Sequence, residues 1–149
     1  LSDVTRRLPV TTYILPRVED MLIQISKRSR RERETEEKKS GHYIPILTKS
    51  NVPAYFIEKF IQGSTSLEDI IRLVVSRKDS DLERVPVTVY VLPSTLQKAE
   101  SLSKGSKDRE ETYSVSRIFS LIIESNEEVI KDYDRLKKEV SEYVEICRS

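Results

Sequence analysis

The chain has 149 residues, 34% of them charged and 37% hydrophobic, with a formal net charge of +1. That length suits one medium domain or two small ones, with a polar surface around a modest core of Ile, Leu and Val. A single cysteine and a single histidine exclude an internal disulfide framework and the usual zinc patterns.

No apolar run approaches the length of a bilayer, and no stretch resembles a signal peptide. The lone cysteine points to a reducing, cytoplasmic setting. Charge is unevenly placed. Leu1 to Lys49 carries eleven Lys/Arg against seven Asp/Glu, whereas Ser125 to Ser149 carries five against seven. No Ser/His/Asp or Cys/His set, Gly-rich phosphate loop or metal cluster can be read from the residues, so neither an enzyme nor a cofactor is expected.

In chain order, the first element is RLPVTTYILP, Arg7 to Pro16. Its β-branched and aromatic residues alternate with period two, as in a half-buried strand. Val10, Thr12 and Ile14 fall on one face; Arg7, Thr11 and Tyr13 fall on the other. Pro16 cannot continue a ladder but suits a first helical turn. Val18, Met21, Leu22 and Ile25 then recur at helical spacing. The run Lys27 to Lys39 interleaves both charge signs and reads as a solvated extension of that helix rather than a DNA arm. The segment His42 to Lys49 lengthens the link to the next helix, with His42 and Tyr43 as loop or edge-strand residues.

A helix is expected over Asn51 to Gln62, with Asn51 as cap and Val52, Tyr55, Phe56 and Phe60 apolar, and another over Ser66 to Lys78; the first is the better counterpart of the second copy's later helix, the other being the alternative. The phrase then returns as RVPVTVYVLP, Arg84 to Pro93, 77 positions after the first copy and identical to it at seven of ten positions. Here Val87, Val89 and Val91 oppose Arg84, Thr88 and Tyr90. Leu96, Ala99 and Leu102 mark a helix, and Lys104 to Glu111 a charged break. Ser114 or Ser116 caps a further helix whose buried face is Val115, Ile118, Phe119, Ile122 and Ile123. Asn126 to Cys147 reads as one long helix with a seam of Val129, Tyr133, Leu136, Val140, Tyr143 and Cys147, serving core or oligomer contact.

The order strand, proline, helix, polar turn, Ser-capped helix resembles the ribbon-helix-helix family of transcription regulators. VTVYVLPSTLQKAESLSKG followed by SVSRIFSLIIES carries most of the likeness, and VTTYILPRVEDMLIQISKR carries the first copy. The duplication is similar to the tandem ribbon-helix-helix regulators of archaeal viruses. The resemblance implies a mainly α fold with short β: one unit in residues 1–80, with an insertion and an extra helix, and one in residues 81–149 with a long C-terminal helix. It also implies that two strands pair into a ribbon that fits the major groove of double-stranded DNA. That pairing is either between the two copies in one chain or between chains. An oligomer held by the intertwined core and the last helix is expected.

On such a ribbon the polar phase, Arg7, Thr11, Tyr13, Arg84, Thr88 and Tyr90, is expected to read bases. The family's usual register, counted back from Leu-Pro, would instead turn Val10, Thr12, Ile14, Val87, Val89 and Val91 to the groove; polarity favours the first phase. The resemblance further implies phosphate contacts from Ser114, Val115 and Ser116 through their backbone and from Asn51 in the first copy. Lys104, Lys107 and Arg117 would add charge there. The function so implied is repression or activation, or both, in the host cytoplasm if the source is viral. The alternative is a protein-interaction module, such as an antitoxin or a virion scaffold, on the same core.

Overall fold

Two seven-residue strands, β1 (Leu8–Ile14) and β2 (Val85–Val91), pair antiparallel in one chain. The computed structural model describes residues 6–40, 47–63, 66–76, 82–106 and 113–148. Among these, seven helices accompany the strands: α1 (Pro16–Ser40), α2 (Asn51–Gly63), α3 (Leu67–Ser76), α4 (Pro93–Gly105), α5 (Val115–Ser125), α6 (Glu127–Lys131) and α7 (Tyr133–Arg148). The fold is therefore mainly helical with a short two-stranded sheet. No helix among the described residues is long and apolar enough to cross a membrane.

The register sets Thr11 opposite Thr88, Pro9 opposite Tyr90 and Tyr13 opposite Pro86. Thr11 and Thr88 hold the same position in the two copies of the phrase, so the copies are related by a local two-fold axis between them. Thr12, Ile14, Val87, Val89 and Val91 are buried, and Val10 packs partly buried against them. The helices follow reciprocally: α5 packs on β1, and α2 packs on β2. Hence α2, not α3, is the first-half counterpart of α5. One core takes residues from both sides of the repeat boundary.

Local chemistry sets the helix starts. The carbonyl of Leu15 accepts from the N–H groups of Val18 and Glu19 at 2.9 and 3.0 Å, and that of Leu92 accepts from Leu96 at 3.0 Å. Pro16 and Pro93 thus occupy first turns, where no N–H is needed. Ser114 caps α5, its hydroxyl accepting from Arg117 N–H at 3.1 Å. At α2 the expected cap is corrected. Thr48 Oγ1 accepts from Asn51 N–H at 2.9 Å while Asn51 Oδ1 accepts from Thr48 N–H at 2.7 Å, a reciprocal box in which Thr48 is the cap.

The charged run continues α1 as a helix to Ser40. It is tied down through Glu32, whose carboxylate accepts from Tyr133 Oη at 2.9 Å and Lys137 Nζ at 3.0 Å, while Arg28 stacks 3.8 Å over the Tyr133 ring. Burial pushes Tyr133 up to about 12, helped by the carboxylate beside it. For Glu32, burial works upward, but the hydrogen bonds from Lys137 and Tyr133 and the charges of Lys137 and Arg28 outweigh it and hold its carboxyl below the ordinary value.

The expected single helix over Asn126 to Cys147 is broken. Asp132 leaves helical geometry at φ −94° and ψ 86°, and its Oδ1 accepts from Arg135 N–H at 3.4 Å to cap α7. The seam holds through the break: Tyr133, Leu136 and Val140 enter the chain's own core, and Val129 packs against it. The side chain of Cys147, residues 42–46 of the His42–Lys49 segment, residues 77–81 and most of the Lys104–Glu111 break lie outside the described residues.

Two outcomes follow. Replacing Ile122, fully buried on α5, with Ala should lower stability by about 2–5 kcal/mol in a urea titration, whereas Leu82→Ala at an exposed site should stay within about 0.5 kcal/mol. Because the folded-state pKa of Glu32 is depressed, its stabilisation is present above the ordinary value of 4.5 and is lost as pH falls through the lowered one. The Tm advantage of the native chain over Glu32→Gln should therefore be present at neutral pH and shrink on acidification below that value.

Candidate nucleic-acid interface

The outward face of the ribbon consists of Pro9, Thr11 and Tyr13 from β1 and Pro86, Thr88 and Tyr90 from β2, all exposed. Tyr13 and Tyr90 keep 47% and 49% of their surface open, a large share for strand tyrosines. The polar phase therefore faces out, and the alternative phase of Val10, Thr12, Ile14, Val87, Val89 and Val91 faces the core. Proline has no N–H to give a partner strand, so Pro9 and Pro86 suit the pairs that exchange no ladder hydrogen bonds. In that phase the backbone groups of Thr11 and Thr88 point to the ribbon's outer edges. The Thr88 carbonyl accordingly accepts from Ser50 Oγ at 3.1 Å.

That contact places the start of α2 beside one edge. The start of α5 packs against the other strand, where the buried Thr12 Oγ1 donates to the Ser116 carbonyl at 2.6 Å. One helix N-terminus, a centre of positive potential, thus stands by each strand of the ribbon. Ser114 is exposed and Val115 half-buried, while the Ser116 hydroxyl is buried without a hydrogen-bond partner. Asn51 is folded into the cap of α2. Arg117 leans 5.0 Å over the Tyr113 ring at the start of α5. Ser106 Oγ accepts from Tyr113 N–H at 2.9 Å, bringing the end of α4, with exposed Lys104, to the same corner. Lys107 lies outside the described residues.

The two arginines depart from the expected readout set. Arg7 reaches Glu58 at 3.2 Å and donates to Tyr143 Oη at 2.8 Å; its side chain is 24% exposed and that of Glu58 5%. Arg84 pairs with Glu124, at side-chain exposures of 12% and 10%, and also donates to the Leu82 carbonyl at 2.8 Å. Each arginine stands just outside its strand, past the last alternating pair, where a second-helix glutamate of its own half is within reach. Their repetition is structural: one Arg–Glu pair closes each end of the ribbon.

Glu58 is the residue that the sequence reading passed over. It accepts from Arg7, from Leu92 N–H at 2.8 Å, from Gln62 Nε2 at 3.1 Å and from the Thr95 hydroxyl. One carboxylate thereby joins the start of β1 to the end of β2 and places negative charge at the N-terminus of α4. Its signal lay in the spacing, since Ala54, Ile57, Glu58 and Ile61 form one buried helical stripe and Glu58 is its only acid.

No group of three or more His, Cys, Asp or Glu that could hold a metal ion occurs among the described residues. No family model, curated protein or solved structure matches the chain. Glu58→Ala strands Arg7 and three further donors, the buried Thr95 hydroxyl among them, and should cost roughly 3 kcal/mol, the low end for breaking a buried pair because Arg7 is partly open to water. Equilibrium unfolding measures this, and a loss below about 1 kcal/mol would refute the organising role given to Glu58.

Proposed function

We propose that the chain is a sequence-specific DNA-binding transcriptional regulator, without enzymatic activity, made of two tandem ribbon-helix-helix units and reading the major groove with the β1–β2 ribbon. One observation carries this reading. The outward residues are the same in both copies, Pro9 and Pro86, Thr11 and Thr88, Tyr13 and Tyr90, whereas all three differences between the strands face inward: Leu8 and Val85, Thr12 and Val89, Ile14 and Val91. Left to folding alone, an exposed face drifts more freely than a buried one, because surface substitutions cost little stability. An outward face held identical about a local two-fold axis fits a ligand with matching halves, as a DNA duplex can supply.

The chemistry fits the groove. Threonine offers a hydroxyl to base edges and a methyl to thymine, and tyrosine offers a hydroxyl to a base or a phosphate. A two-stranded ribbon has the width to enter. The starts of α2 and α5, with Arg117 near the second, are set to meet phosphates on either side. Whether the regulator represses, activates or does both depends on where its operator stands.

The ribbon face carries no charged side chain, and exposed tyrosines also serve protein interfaces. That favours a second reading, a protein-docking module on the same core. Salt separates the two. Phosphate contacts release counterions, so DNA affinity should fall steeply and log-linearly with salt. With duplexes selected from a random pool, Thr11→Ala with Thr88→Ala, or Tyr13→Ala with Tyr90→Ala, should weaken binding by at least about tenfold, as loss of one to two base contacts requires. Unchanged affinity and sequence preference would remove the ribbon from the interface; no binding even at low salt would favour the protein-docking reading.

A further inference from the structure

None of the six outward residues of the ribbon is charged or carries an amide. β1 offers Pro9, Thr11 and Tyr13 there, and β2 offers Pro86, Thr88 and Tyr90. The arginine next to each strand is withdrawn. Arg7 holds Glu58 and Arg84 holds Glu124, with the glutamate side chains only 5% and 10% exposed. Turning either arginine to a guanine would strand a buried carboxylate. Arg6 is exposed but precedes β1. What the ribbon turns outward is therefore carbon surface with hydroxyls: two proline rings, two threonines and two tyrosine rings. Register concentrates the carbon, because Pro9 stands opposite Tyr90 and Tyr13 opposite Pro86, on either side of the Thr11–Thr88 pair. Directly opposed side chains on one face are within reach of each other, so each end of the face is an apolar proline–tyrosine pair.

Resting on the DNA readout proposed above, we infer that this face selects thymine, and that it does so through the C5-methyl group. In the major groove each kind of base pair shows three polar groups: N7 and O6 of guanine with N4 of cytosine, or N7 and N6 of adenine with O4 of thymine. Threonine and tyrosine hydroxyls both donate and accept, so they suit either set. Only the A·T pair adds an apolar group, the thymine methyl, and only that group matches proline, the threonine methyl and the tyrosine ring. A G·C pair under the same carbon surface loses water from its polar groups and gains no apolar contact in return. The three outward pairs span about 14 Å along the strands, the rise of about four base-pair steps. The target is thus a short A·T-rich segment of about five base pairs with thymine on both strands, since the two strands present the same face.

The test takes the full chain and a duplex carrying the consensus of a random-pool selection, read by fluorescence anisotropy. Each selected thymine is replaced in turn by deoxyuridine, which removes the methyl and keeps the base pairing. At contacted positions affinity should fall about fourfold per methyl, the worth of one buried carbon. Thr11→Ser with Thr88→Ser deletes the protein's methyls and keeps its hydroxyls, so the penalty for deoxyuridine should shrink at the central positions. Both sites are exposed, and the thermal unfolding curve of the variant shows that the fold is kept. A selected segment rich in G·C, or affinity indifferent to deoxyuridine at every position, would overturn the thymine preference while leaving DNA binding in place. So would a preference that survives both serine substitutions and disappears in Arg6→Ala. Failure to select any duplex would sink the DNA reading and this inference with it.

Discussion

A seven-residue strand with one apolar face cannot fold by itself, and among the described residues neither strand has another in its own half to pair with. Each finds the other copy, 77 residues away. The pairing has little freedom of register, because a slip by one residue would turn Ile14 and Val89 to water and Tyr13 and Tyr90 to the core. Thr11 opposite Thr88 satisfies both inner faces at once. The rest of the architecture follows: with each strand committed to the other, the second helix of each half covers the strand of the opposite half, and the two halves share a core.

Electrostatics then fixes the ends of the ribbon rather than its face. Burying Arg84 and Glu124, or Glu58 with its several donors, carries a desolvation cost that only near-complete hydrogen bonding offsets. In return the pairs set where the strands stop and where α4 begins. With the arginines so engaged, the outward face is left to short or stiff side chains. Threonine is restricted at χ1 and tyrosine has two torsions, so little conformational entropy is lost when such a face meets a partner. The proposed readout gains from that rigidity.

Much of this was legible from the residues. Period-two alternation gave the strands and the outward phase, the prolines gave the starts of α1 and α4, and Ser114 gave the cap of α5. Four features were not, each for a physical reason. Intrachain pairing depends on which copy reaches the ribbon first in three dimensions, and alternation is silent on that. The Asp132 break preserves the four-and-three spacing of its seam, so periodicity runs through it; only the capping chemistry of Asp132 marks it. The arginines share the parity of the outward face, but they sit where the strands end, and their orientation is decided by Glu58 and Glu124, distant in sequence. At α2 the box of Thr48 with Asn51 was hidden because Asn51 alone is a plausible cap.

One chain forms one ribbon, and the proposed function has its outward face meet DNA. NMR of the isotopically labelled chain, alone and with a duplex selected from a random pool, addresses both parts in one experiment. In a monomeric sample a cross-strand Hα–Hα contact is expected between Thr11 and Thr88, whose amides point away from each other. On adding duplex, amide shift changes are expected to concentrate at Thr11, Tyr13, Thr88, Tyr90 and the first turns of α2 and α5. Absence of the Thr11–Thr88 contact, or shift changes gathered on α3 or α7 with the ribbon silent, would contradict this arrangement.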